Sequence, residues 1–142
     1  MSKPPASGYS GTPLAKKLGF KPGAVVALIG APAFMTGVVK DADAKPVVAK
    51  DAKAVKGSVP AVHIFTVEKS VLKTALPVLM KSITRDGMIW VSWPKKASKV
   101  STDITEDTIR KHALPIGLVD VKVCAVDEVW SGLKLMIRKE KR

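Results

Sequence analysis

Trp93-Pro94-Lys95-Lys96, followed by Lys99, Ser101 and Thr102, is the stretch of this chain whose residue types come closest to a binding chemistry. An indole at a strand end can stack on a planar ligand, and neighbouring ammonium groups and hydroxyls near a helix start can hold an anion. The same residues also have a plain structural account, in which Trp90 and Trp93 fill a core, Pro94 ends the strand and the lysines face water. Gly30 and Thr66 are the other ligand candidates, because each directly follows an apolar run that reads as a buried strand. After Gly30 comes Ala31-Pro32-Ala33, however, and proline removes a backbone donor where a phosphate loop needs one. Asp51 stands 21 residues after Gly30, a spacing compatible with a ribose-binding carboxylate, yet Lys50 and Lys53 flank it as in a solvated loop.

Constellations for catalysis do not assemble from the sequence. Ser92 lacks the flanking glycines of a nucleophile elbow, Cys124 has no placed base, and neither His63 nor His112 has an evident orienting partner. His63, between Val62 and Ile64, reads as a core or sheet-face histidine. The single cysteine excludes an internal disulfide, and two histidines with one thiol are too few for a metal site. Cys124 lies between Val123 and Ala125 and reads as a small buried hydrophobe. No cofactor and no metal are expected. Tyr9, Ser10 and Thr12, beside Lys16 and Lys17, read either as an arm over a cleft or as a helix cap.

Charge is the second strong signal. Twenty-four basic residues against twelve acidic ones give a formal net charge of +12. Twenty of the basic residues are lysines and four are arginines, which favours diffuse attraction to polyanions over forked guanidinium readout. The lysines are spread along the chain, which a solvated surface explains better than a dedicated nucleic-acid footprint clustered on one face. Taken together, the residues lead to a non-enzymatic binding or accessory protein for an anionic partner: nucleic acid, a nucleotide or an acidic protein. The alternative is an enzyme acting on a small molecule at the strand ends.

A chain of 142 residues fits one domain able to bury roughly two thirds of its unfolded surface. No window approaches the roughly 18 uncharged apolar residues of a membrane span, and MSKPPASGYSG has no apolar signal core, so a cytoplasmic protein is expected.

The positioning elements follow from period and punctuation. Residues 1–11 read as a loose arm and 12–142 as the domain. Thr12, Pro13 and Gly19 bracket a short helix. VVALI is apolar at every position, as a strand covered on both faces requires. A weak crossover helix over 33–41 precedes a short second strand over 46–50 and a mobile or edge connection to Ser58. Val62 to Phe65 predicts strand three, Thr66 the cap of a helix running to Ser82 and bent at Pro77. Asp86-Gly87 reads as the turn into strand four, over 88–93, and Trp93-Pro94 as a candidate cis peptide. Asp103 and Glu106 have capping-box spacing for a helix ending near Ala113. Alternation buries Val119, Val121, Val123 and Ala125 on one strand and Leu133, Leu135 and Ile137 on the next, with a loop around Ser131-Gly132 between them.

Alternating strands and helices that close on an antiparallel hairpin resemble the class I methyltransferase-like sheet. DGMIWVSWP is similar to that fold's strand after its P-G-G turn and LVDVKVCAVDEVWSGLKLMIRK to its final reversed hairpin. The resemblance implies a three-layer Rossmann-like α/β fold with strand order 2-1-3-4-6-5, the last strand antiparallel, and one α/β unit missing between strands two and three. It also implies a degenerate S-adenosylmethionine-dependent methyltransferase as the form the enzyme alternative would take. A narrower resemblance rests on YSGTPLAKKLGFKPG, DGMIWVSWPKKASK, DITEDTIR and GLVDVKVCAVDEVWSGLKL, which are similar to a family of small bacterial proteins of unknown function.

Overall fold

A computed structural model describes residues 13–142. The arm expected over 1–11, with Tyr9, Ser10 and Thr12, lies outside the described residues. Six strands form one sheet: β1 (Val25–Ile29), β2 (Lys45–Ala49), β3 (Val59–Phe65), β4 (Ile83–Pro94), β5 (Leu118–Ala125) and β6 (Trp130–Ile137). Their order is β2-β1-β3-β4-β6-β5; β1 to β4 pair in parallel, and β6 runs antiparallel to both its neighbours. This is the expected sheet.

Helices cover both faces. On one side lie α1 (Leu14–Leu18) and α2 (Phe34–Asp41), burying Leu18, Met35 and Val39 against Leu28 and Trp90. Pro13 precedes α1 with its carbonyl accepting from Lys16 and Lys17, and Gly19, at φ 75°, closes it in the left-handed conformation that glycine adopts without strain. Gly37, Val38 and Val39 make α2 a poor helix by propensity, so it is held by packing of Met35 and Val39, one turn apart. On the other side α3 (Lys69–Ser82) and α4 (Glu106–Ala113) bury Leu72, Leu76, Leu79 and Ile109 against Ile29, Ile64, Ile89 and Leu133. Where a further helix is missing, the β2–β3 connection makes only a 3-10 turn, Ala52–Ala54, whose start is capped by the Asp51 carboxylate accepting from the Ala54 amide at 3.0 Å.

Several expectations change in detail. Thr66 does not cap α3; its hydroxyl accepts from the Glu68 amide, and the Lys69 amide at the helix start donates instead to Asp103 Oδ1 at 2.7 Å. Asp103 is thereby drawn away from α4, where Thr105 and Thr108 cap each other's backbone amides. Asp86-Gly87 lies within β4, in an irregularity where the register passes from Val59↔Ile83 to Ala61↔Met88. The Trp93–Pro94 peptide is trans.

The hairpin departs most. Its register shifts between Asp120 and Lys122, leaving Val121 as an extra residue that inverts the alternation after it. Cys124 is consequently buried and Val123 48% exposed, with the extra Val121 51% exposed; Leu118, before the shift, is buried opposite Ile137. The reversal is not at Ser131-Gly132, which lie within β6, but at 126–129, where Asp127 Oδ1 accepts from the Val129 and Trp130 amides. Gly132 instead makes room for an aromatic ring, since a Cβ there would stand 3.1 Å from the Trp90 ring.

Candidate functional site

The carboxyl ends of β1, β3 and β4 carry the residues singled out from the sequence. Gly30 leaves β1 at φ 64°, and a Cβ on it would lie 2.6 Å from the Phe65 carbonyl oxygen. Its glycine is therefore required by the neighbouring strand end. Thr66 sits beside it and donates its amide to the Ser92 carbonyl. Lys95, Lys96 and Lys99 lie past β4, beyond Pro94. The Lys95 amide donates to the Val129 carbonyl at 2.7 Å, while Lys96 and Lys99 are exposed in a tight turn that ends with Lys99 at φ 62°.

Trp93 does not join the lysines as a stacking platform. It is 7% exposed and packs in the core with Ile104 and Ile109, so a planar ligand would have to open that core. Nor does Thr102 remain free for an anion, because its hydroxyl donates to the Val67 carbonyl, and the amide end of α3 beside it is taken by the Asp103 carboxylate. What remains is a rim of lysine ammonium groups around closed backbone.

A cleft of about 480 Å³ opens between the 3-10 turn and α3, with Ile29 and Ile64 as its floor and Lys50, Asp51, Ser70 and Thr74 on its sides. It lies at the carboxyl ends next to the point where the strand order reverses, the usual ligand position in such sheets. Asp51 is thus at its mouth, although one carboxylate oxygen already serves the turn.

The sequence reading missed one pair. His63 and Ser92 are fully buried, and His63 Nε2 lies 2.7 Å from Ser92 Oγ. The ring stacks on Phe65 with centroids 4.3 Å apart, its Nδ1 has no partner, and burial pushes its pKa down to about 3. A neutral imidazole and a serine closed off from solvent make a structural pair, with no carboxylate to orient the ring for nucleophilic work. The available signal was a lone polar residue inside each of two apolar runs, His63 in AVHIF and Ser92 in MIWVSW. No group of three or more potential metal-ligating side chains occurs among the described residues, and none of their helices is long and apolar enough to cross a membrane.

Comparison with solved structures places the fold among class I methyltransferases. An S-adenosylmethionine-dependent methyltransferase from Aquifex aeolicus aligns over 86% of each chain with a TM-score of 0.65 at 14% identity. The N-methyltransferase NodS of Bradyrhizobium japonicum aligns over 88% of this chain and 90% of its own at TM-score 0.59 and 11% identity. The tRNA methyltransferase TrmK of B. subtilis aligns over 87% of this chain and 63% of its own at TM-score 0.56 and 12% identity. At such identities the likeness shows the fold alone. No family model matches the chain, and no curated protein matches it. The methyltransferase-like sheet expected from the sequence is therefore shown.

The fold family implies S-adenosylmethionine, and the loop after β1 does not fit it. A cofactor-binding turn offers successive amides with room for close approach; here Pro32 lacks the donor, and the one glycine is occupied in clearing Phe65.

Proposed function

We propose that the protein is a binding or accessory protein for an anionic partner, built on a methyltransferase-like sheet that no longer offers the cofactor loop. Support comes chiefly from the uncompensated charge: among the described residues the ion pairs involve Arg110 and Arg138, and no lysine lies within 4 Å of a carboxylate. Lys95, Lys96 and Lys99 supply the cationic part of the strand-end surface, with Gly30 and Thr66 shaping its backbone. A polynucleotide suits such a surface, and one fold neighbour acts on tRNA. The narrower resemblance to small proteins of unknown function belongs with this reading, as does a cytoplasmic location. The test is fluorescence anisotropy with labelled RNA, from 50 to 200 mM salt. Binding through these three lysines should weaken with a log–log slope of about −2 and fade in K95Q/K96Q/K99Q. Failure to bind at 50 mM salt would overturn the reading.

The cleft favours a second reading, a small-molecule enzyme or receptor, because its apolar floor and Asp51-bearing rim would suit a nucleoside. Salt-insensitive thermal stabilisation by one compound from a nucleoside panel, abolished by Asp51→Ala, would favour it.

A further inference from the structure

The face of the sheet beneath α1 runs out on four lysines. Lys122 and Lys134 are cross-strand partners in the β5–β6 hairpin, so their Cβ atoms leave the same face about 5 Å apart, an arrangement in which like charges destabilise. The end of α1 closes over them: Lys122 Nζ donates to the Lys17 carbonyl at 2.8 Å, and a Cβ on Gly19 would stand 4.0 Å from Lys134 Nζ. Burial, then the nearby charges of Lys122 and Lys21, depress the Lys134 pKa. None of the four ammonium groups has a carboxylate within 4 Å among the described residues, and residues 1–12 contain neither Asp nor Glu.

The flanking partners on this face of the hairpin are Val119 with Met136 and Cys124 with Gly132, so packing alone would accept an apolar or neutral pair at Lys122 and Lys134. The chain thus sets Lys122 and Lys134 on one face of the hairpin, brings the Lys21 charge close enough to act on Lys134 and the Lys17 charge close enough to act with Lys122 on Cys124, partly covers Lys134, and supplies no counter-charge. An anion with several oxygens and more than one negative charge matches that arrangement, since each ammonium offers up to three donors and each oxygen can accept from a different lysine.

We propose that Lys17, Lys21, Lys122 and Lys134 form a cradle for a phosphate group. This is a second place on the molecule, separate from the strand-end lysines, and the two stand or fall independently. A polynucleotide backbone and a free phosphorylated molecule share the phosphate that the cradle takes.

The experiment compares wild type, K122Q/K134Q and K95Q/K96Q/K99Q by thermal shift and amide chemical shifts, at matched ionic strength between proteins and, for the polynucleotide, over a salt series from about 50 to about 200 mM. Pyrophosphate is the first probe and an oligouridylate the second. Pyrophosphate should raise the wild-type Tm and move the Gly19 and Lys134 amide signals. The hairpin pair variant should bind it at least tenfold more weakly and, without ligand, melt higher than wild type because the repulsion is gone; the strand-end variant should bind it normally. Oligouridylate binding with a log–log salt slope of about −3, lost in the hairpin variant, would assign a polynucleotide. Pyrophosphate binding without oligouridylate binding would assign a free phosphorylated molecule. The cradle is overturned if neither probe binds, or if K122Q/K134Q binds both as wild type does. Oligouridylate binding lost only in K95Q/K96Q/K99Q, with no pyrophosphate response, would leave the strand-end reading standing and remove this one.

Discussion

His63 Nε2 and Ser92 Oγ meet at 2.7 Å across β3 and β4, in a layer where both side chains are fully buried and Phe65, Trp90 and Phe20 surround the ring. Diagonal placement makes the contact, since Phe65 is opposite Ser92 and His63 is opposite Trp90 in the register. Burial holds the imidazole neutral, with a pKa of about 3 against 6.5 in the unfolded chain. Because the unfolded state takes the proton first, stability from this group is whole above pH 6.5 and declines as pH falls toward 3. The decline is about 1.4 kcal/mol per pH unit, as much as about 5 kcal/mol over the window. Urea unfolding at pH 7.0, 5.5 and 4.5 should show that slope in wild type and a slope shallower by a similar amount in His63→Leu/Ser92→Ala. Equal acid slopes in both would mean that His63 titrates as an exposed histidine.

Gly30 gives a sharp stability test at the strand ends. Alanine there must adopt φ 64° and place its Cβ 2.6 Å from the Phe65 carbonyl oxygen, so β1 or β3 has to shift. Strain and displacement together should cost about 3 kcal/mol. Were the glycine present only to admit a ligand, Gly30→Ala would leave the urea midpoint of the unliganded protein unchanged.

The exposed hairpin valines separate the alternation read from the sequence from the register found. Val121→Thr and Val123→Thr should change stability by no more than about 0.5 kcal/mol, as surface substitutions do. Leu133→Ala, on the partner strand and 1% exposed, should cost about 3 kcal/mol. A loss at Val121 as large as that at Leu133 would restore the original phase.

Much of the architecture was legible because it is written in period. VVALI, apolar throughout and short between Pro-Gly and Gly-Ala-Pro breaks, has the pattern of a strand covered twice, and Val26–Ile29 are buried between β2 and β3. Leu133, Leu135 and Ile137 alternate and are buried. Features that depend on a single extra residue or a distant partner were not legible. Inserting Val121 flips the face of Val123 without altering the composition of the strand. At the candidate site the sequence pointed to the strand-end lysines, but not that Trp93 would be buried in the core that Ile104 and Ile109, from the next loop and helix, also enter. It also left the cleft beside Asp51 undefined, because a connection with little apolar bulk gives no sign of the turn that walls it.

Asp103 shows how a tertiary contact overrides a local motif, and its removal distinguishes the two. Capping-box spacing with Glu106 predicts that Asp103→Ala would fray α4. In the structure its carboxylate instead receives the Lys69 amide at 2.7 Å, while Thr105 accepts from Thr108 at the start of α4. Loss of an N-cap acceptor costs about 1 kcal/mol, and the resulting fraying is confined to the helix that loses it. Asp103→Ala should therefore speed hydrogen exchange at Lys69 and the first turn of α3 while sparing Thr108 and Ile109. Thr105→Ala should do the reverse. Faster exchange at Thr108 in Asp103→Ala, with Lys69 unchanged, would return the aspartate to α4 and detach the loop over 99–103 from α3.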